Sequence, residues 1–282
     1  FKNVPGLKGK PIDGYFQLAK IITYIIAGIL MLSLLLNRSP LYFLSAFGAM
    51  TAIILLIFKD TILGFVASIQ ISANDMVRVG DWITMKKYDT DGDVMTITLN
   101  TVKVRNFDQT ISTVPTYAFI SESFVNWRGM KEKGGRRIKR SLFIRQNSVK
   151  FCNDTLLNKL KKLDLIKEYI TTMQVELEKF NKEKRVDQTL PSNGRNLTNL
   201  GIFREYIEAY LREHPDIHDS MTLMVRQLAP SSQGVPLEIY CFTKTVVWLE
   251  YEQIQSDLFD HFIATIRYFE LDLFEFESAA VS

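Results

Sequence analysis

Cysteine is scarce: only Cys152 and Cys241 occur among the 282 residues, far apart and in no CxxC pair. That excludes a disulfide scaffold, argues against a structural zinc site and favours a reducing compartment. An excess of charge is also missing. A formal net charge of +3 is too small to mark nucleic-acid binding by itself. There is no phosphate loop, no nucleophile elbow and no HExxH, so no cofactor is implied and nothing points to an enzyme. His214 and His218 have the i,i+4 spacing of a helical metal pair, but Pro215 lies between them, and they read as helix-end histidines. Asp89, Asp91 and Asp93 resemble the start of a calcium loop. Val94 and Asn100 stand where that loop needs Gly and Glu, so the segment reads as a hairpin turn carrying the Asp-Gly signal. With 47% hydrophobic and 23% charged residues the chain is not disordered, and its length suits two domains.

What is present is a strongly uneven apolar distribution. Ile21 to Leu36 is sixteen residues without charge, Pro40 to Phe58 is nineteen more, and only Asn37-Arg38-Ser39 separates them. A bilayer core of ~30 Å takes ~20 helical residues. The second run fits directly, and the first does so if it starts near Tyr15 with Lys20 snorkelling. Two runs so closely spaced are hard to reconcile with core helices of a soluble protein. They form an antiparallel hairpin. Lys2, Lys8, Lys10 and Lys20 on one flank and Lys59, Arg78, Lys86 and Lys87 on the other, against Arg38 alone in the turn, put both ends in the cytoplasm. The chain begins with Phe1, and its first fourteen residues lack a signal-peptide pattern. A fragment with further membrane helices upstream is the expectation.

Ser45, Gly48, Ala49 and Ala52 make one helical stripe of small residues. Such a stripe lets helices approach closely, either as symmetry copies round an axis or as a neighbour from the same chain. Leu56 continues it and suits an apolar ring that gates by dewetting. Lys59-Asp60 then interrupts the run, and a bend there lays Thr61 to Ala73, with Gly64 as a point of freedom, along the inner surface as an interfacial amphipathic helix. Residues 1–75 are therefore a membrane domain.

The remainder divides further. Residues 76–129 read as short β-branched strands suited to a small barrel. Arg128 to Arg140 carries seven basic residues against Glu132 and three glycines, and reads as a linker that can attract anions or lipid headgroups. Beyond it, residues 130–282 alternate as β-α-β-β-α-β, the order of a ferredoxin-like unit. Val149 to Leu163 is expected as a helix capped by Ser148, and Leu271 to Phe276 as a last strand. A helical insertion, 164–199, carries a seam of Ile166, Ile170, Met173, Leu177 and Phe180 that pairs with a neighbouring subunit or packs on its own domain. Its loop, Val186 to Asn196, is expected to be mobile.

Several stretches resemble the small-conductance mechanosensitive channel (MscS) family: Ile57-Phe58-Lys59-Asp60-Thr61, Ile69 to Trp82, and Thr101 to Asp108. Val114-Pro115-Thr116-Tyr117, Asn126 to Met130, Gly134 to Arg140, Met221 to Leu228 and Phe259-Asp260-His261 are similar to its miniconductance, YbdG-type branch. The resemblance implies an α-helical membrane hairpin, then a Sm-like small β-barrel domain and an α+β ferredoxin-like domain. It implies a homoheptamer in the bacterial inner membrane whose C-terminal domains form a cytoplasmic cage, closed at the axis by Leu271 to Phe276. Its partners would be its own copies, membrane lipids and permeating ions, with no nucleic acid. Tension would open the pore and release ions and solutes in hypo-osmotic shock, and the family's two constrictions fall on Ala52 and Leu56. The chain departs from the pattern at Lys59-Asp60, where the family has a Gln-Gly bend, and at Ile53 and Leu55, where it has small residues. A rival reading is a membrane-tethered RNA-binding or scaffold module. It wants stacking aromatics such as Tyr240 and Phe242 on a basic sheet face, but no RNP1 pattern accompanies them.

Overall fold

The computed structural model describes residues 13–276; the basic flank of Lys2, Lys8 and Lys10 lies outside them. The chain forms two units, up to Asn126 and from Trp127 onward.

The first unit starts with helix α1 (Asp13–Leu35) and helix α2 (Pro40–Ala73). The turn between them is set by Asn37 at φ 50° and by the Ser33 hydroxyl donating to the Arg38 carbonyl. Ser39 caps α2, its Oγ accepting the Tyr42 N–H at 3.4 Å, and Pro40 occupies the first turn, where its missing N–H is harmless. Along α1 nearly every apolar side chain is exposed, the pattern of a helix whose solvent is lipid.

A five-stranded antiparallel sheet follows, β1 (Trp82–Met85), β2 (Thr90–Ile97), β3 (Thr101–Asn106), β4 (Ile111–Pro115) and β5 (Val125–Asn126), in the order β4-β3-β2-β1-β5, with a short helix α3 (Ala118–Ser121) between the last two. Period-two alternation sends Val94, Val102, Val104 and Val114 into a core with Ile83, Met85, Ala118 and Phe119. The Asp-Gly pair is not the turn. The chain reverses earlier, through a 3-10 turn at Lys86–Tyr88 with Asp89 left-handed at φ 46°, and Asp91-Gly92-Asp93 lies inside β2. Gly92 serves close approach instead: a Cβ there would stand 1.9 Å from the Arg105 carbonyl oxygen. Asp91 accepts from Trp82 Nε1 and Thr84 Oγ1, both at 2.8 Å, a cross-strand role rather than a calcium loop.

The second unit contains α4 (Arg128–Lys133), β6 (Arg136–Ile144), α5 (Asp154–Leu160), α6 (Asp164–Glu183), α7 (Asn199–Glu213), β7 (Met224–Gln227), β8 (Val235–Thr243) and α8 (Trp248–Thr265). Its sheet runs β6-β8-β7, antiparallel throughout. The expected linker at Arg128–Arg140 is instead α4 and the first half of β6. Counting charges hides the period-two pattern that buries Ile138, Leu142 and Ile144. The helix expected from Val149 starts only at Asp154, capped by Asn153 Oδ1 on the Leu156 N–H at 2.9 Å. The reason is extended pairing: Phe151 bridges Thr198, and the Cys152 N–H reaches the Leu197 carbonyl at 2.8 Å. The expected last strand is reduced to one antiparallel bridge, Leu273 to Ile144, with flanking bonds from Arg145 to Asp272 and from Phe274 to Phe143. The seam on α6 packs at home, with Ile166 and Ile170 in the core of this unit. The loop expected to be mobile is tied at its end by buried Asn181, which donates to the Arg195 carbonyl and accepts its N–H.

Candidate pore helix and its junction with the β-domain

The proposed pore-lining residues do not share one environment. Gly48 and Ala52, with Thr51 and Leu55, line an apolar groove of about 670 Å³ whose other wall is α1, at Tyr24 and Gly28. Ser45, Ala49 and Leu56 lie outside that groove, and Leu56 is 75% exposed. The small stripe is thus split: part meets α1 of the same chain, and part stands open.

No break occurs at Lys59–Asp60. α2 is one helix for 34 residues. Sharp kinks arise at proline, at Gly/Ser pairs or at π-bulges, and Lys59-Asp60 supplies none of these.

Gly64 is not a point of freedom but of clearance. A Cβ there would stand 2.6 Å from Asn100 Oδ1 and 2.8 Å from the Leu99 carbonyl oxygen, in the turn between β2 and β3. Ala67 and Ile71 continue the contact, at 0% and 2% exposure, and Ile71 belongs to the core of the β-sheet unit. Ile62, Phe65, Val66 and Ile69, the bulk of this segment, remain exposed. The last turns of α2 are therefore docked through their smaller side, a stripe at i, i+3 and i+7 that hydrophobic bulk alone conceals.

Beyond α2 a polar clamp, missed in the sequence, fixes the chain. Asp75, left-handed at φ 50°, receives Arg78 Nε and Nη2, both at 2.6 Å. Asp81 Oδ2, nearly buried, accepts the Arg78 N–H and Asn126 Nδ2, both at 2.9 Å. Asn126 Nδ2 also donates to the Met76 carbonyl at 3.0 Å. One amide thus joins the end of α2, the entry to β1 and strand β5. Short spacings (Asp75, Arg78, Asp81) signal part of this; the partner fifty residues away signals nothing locally.

Burial pushes the Cys152 thiol up to about 11 and the Cys241 thiol up to about 12, so both are poor nucleophiles. His214 ends α7, and His218 lies in a separate turn with Ser220 Oγ 3.2 Å from its Nδ1. Among the described residues no group of three or more His, Cys, Asp or Glu is placed to hold a metal.

Two domain families match the chain: the β-domain of mechanosensitive ion channels over residues 60–129, and the C-terminal domain of MscS-type mechanosensitive ion channels over residues 198–271, together just over half the sequence. The chain is 24% identical over 205 residues to an MscS family protein of Helicobacter pylori, covering 71% of this chain and 29% of that protein. It is 24% identical over 203 residues to the low conductance mechanosensitive channel YnaI of Escherichia coli, covering 71% of this chain and 44% of that one. It therefore spans less than half the length of these relatives. Among solved structures the fold is similar to Arabidopsis thaliana MSL1 (TM-score 0.56, 14% identity, 93% of this chain and 76% of the other). It is also similar to Helicobacter pylori MscS in its closed state (TM-score 0.52, 14% identity, 98% and 86%). A helical N-terminal region, a β-rich domain and an α+β C-terminal domain, with two helices long and apolar enough to cross a membrane, agree with both. The chain belongs to the MscS family of mechanosensitive channel proteins.

Proposed function

We propose that this chain forms the pore-lining and C-terminal part of a tension-gated channel, assembled as a homoheptamer in a bacterial inner membrane, with the unit after Trp127 on the cytoplasmic side. It would release ions and small solutes in hypo-osmotic shock. The observation that carries the reading is α2: one helix joins a lipid-exposed, charge-free half to a half docked on the β-sheet unit. Ser45, Ala49 and Leu56 face the water path, and Leu56 supplies the apolar constriction. Gly48 and Ala52 serve the groove toward α1, so of the two family constriction positions Leu56 is the better supported. Lys59 and Asp60 stand at the cytoplasmic mouth. Membrane lipids fill the space against α1. The motifs from Val114 to Tyr117 and from Gly134 to Arg140 favour the miniconductance branch. The sheet order β6-β8-β7, with Leu273 beside β6, supports a ferredoxin-like C-terminal domain, and the five antiparallel strands support a Sm-like β-domain.

The test is patch-clamp recording of the full-length protein reconstituted in liposomes. Stretch-activated current in proportion to applied suction is the expected result. An assembled oligomer that passes no current up to the lytic tension overturns the proposal.

A further inference from the structure

Among the described residues of the C-terminal unit, helices pack against one face of the sheet only. Its core gathers Ile138, Leu142, Val225, Leu237, Ile239 and Cys241 from one sheet face against α5 to α8. The alternate residues point the other way: Phe143 from β6, Met224 from β7, and Tyr240 and Phe242 from β8. None of them belongs to that core, and all are half-buried. Lys139 pairs with Tyr240 in register, and Arg137 with Phe242. The face is therefore apolar in the middle and basic along β6.

Its charges do not cancel. Glu238, 4% exposed, is engaged by Arg226 at 2.7 Å and by Lys139 at 3.9 Å. The Arg137 guanidinium lies 5.7 Å from the Tyr240 ring centroid rather than against a carboxylate. Two cations thus share one anion, and Arg137 adds a third positive charge to the face.

The opposite side of the unit has the complementary character. Helix α8 contains Glu250, Glu252, Asp257 and Asp260 and no Lys or Arg. Tyr251, Leu258 and Phe262 are its buried side. Helical geometry then puts Asp257 and Asp260 outward, beside Leu249 and Ile263, which are 81% and 42% exposed. Arg136 and Arg140 reach α8 from the sheet, but at its inner side, over the Tyr251 and Phe259 rings at 4.4 and 4.5 Å. The outer acids bond, where they bond at all, to neutral neighbours such as Gln253 with Asp257 at 2.8 Å.

We propose that the uncovered sheet face of this unit docks on the outer side of α8 in the next copy of the chain. An apolar centre of Phe143, Tyr240 and Phe242 would meet Leu249 and Ile263, and Arg137 and Lys139 would meet Asp257 and Asp260. An apolar patch rimmed by complementary charge is the usual anatomy of a protein interface. The two faces lie on opposite sides of one domain, so the contact is head-to-tail, the kind that closes into a ring. The inference rests on the oligomeric channel reading and specifies which surfaces assemble it.

The experiment uses the full chain in lipid nanodiscs, with particle mass measured at increasing salt. Arg137→Glu with Lys139→Gln, and separately Asp257→Lys with Asp260→Lys, should each weaken assembly by about tenfold or more, and the four changes together should recover most of it. A second measurement places cysteines at Lys139 and Asp260. A bifunctional maleimide should then give a multimer ladder only when both substitutions are present. A wild-type chain that stays monomeric overturns the channel reading itself. A wild-type oligomer overturns only this pairing if the charge variants assemble like the parent, if the combined variant recovers nothing, or if the double cysteine chain gives no ladder.

Discussion

The two stretches of α2 share a backbone but have different neighbours. From Pro40 to Phe58 only Phe43 is buried, whereas from Thr61 to Ala73 the helix buries Gly64, Ala67 and Ile71. Both stretches are free of charge and rich in apolar residues, so composition alone does not separate them. Shape does. In the first, small residues make a groove that no described residue fills; in the second, a missing side chain at Gly64 lets the β2–β3 turn come to the helix backbone. Among the described residues the first half packs only toward α1, whereas the second rests on the core of the β-sheet unit.

The sharpest way to break this contrast is at Ile71. Ile71→Ala should destabilise the β-sheet unit by about 2–5 kcal/mol, read as a lowered unfolding midpoint in detergent. Gly64→Val, which drives methyl groups into the Leu99 carbonyl, should follow at about 1–3 kcal/mol and increase proteolysis at the β2–β3 turn. Leu56→Ser should change stability by no more than about 0.5 kcal/mol. Yet it should lower the tension that opens the channel, because a hydroxyl wets the constriction; unchanged threshold and conductance would remove Leu56 from the gate. The smallest effect concerns the other unit. His261 accepts or donates at 2.7 Å with the Tyr206 hydroxyl and stacks on Tyr210 with centroids 4.2 Å apart. Burial first, and His214 nearby second, hold its pKa below the ordinary 6.5. The unfolded chain therefore binds this proton before the folded one does. The contribution of His261 is complete above pH 6.5 and declines as pH falls below it. Thermal melts at pH 7.5 and 5.5 should show acid weakening of the C-terminal unit that His261→Gln reduces, while the α2 contact is unaffected.

Much of this was legible in advance, where one periodicity rules a segment. The hairpin of α1 and α2 followed from run length. Errors arose where long-range pairing overrides local signals. The Asp-Gly pair looked like a turn but is held in β2 by Asn106 and Ile83. Basic residues from Arg136 looked like a linker because charge drew attention from Ile138 and Leu142. At the candidate site, the stripe from Ser45 to Leu56 could be read, but not its division between α1 and open space. Gly64 could be named, but only the turn that touches it reveals its role.

At 1.5 Å per residue, α2 is about 51 Å long, and a hydrocarbon core takes up only about 30 Å of that. The helix is unbroken at Lys59-Asp60, so the surplus continues as helix beyond the length a hydrocarbon core takes up. It works as a lever: any change of tilt within the bilayer swings its far end, and the docked Gly64–Ile71 stripe and Asn126 clamp oblige the β-sheet unit to travel with it.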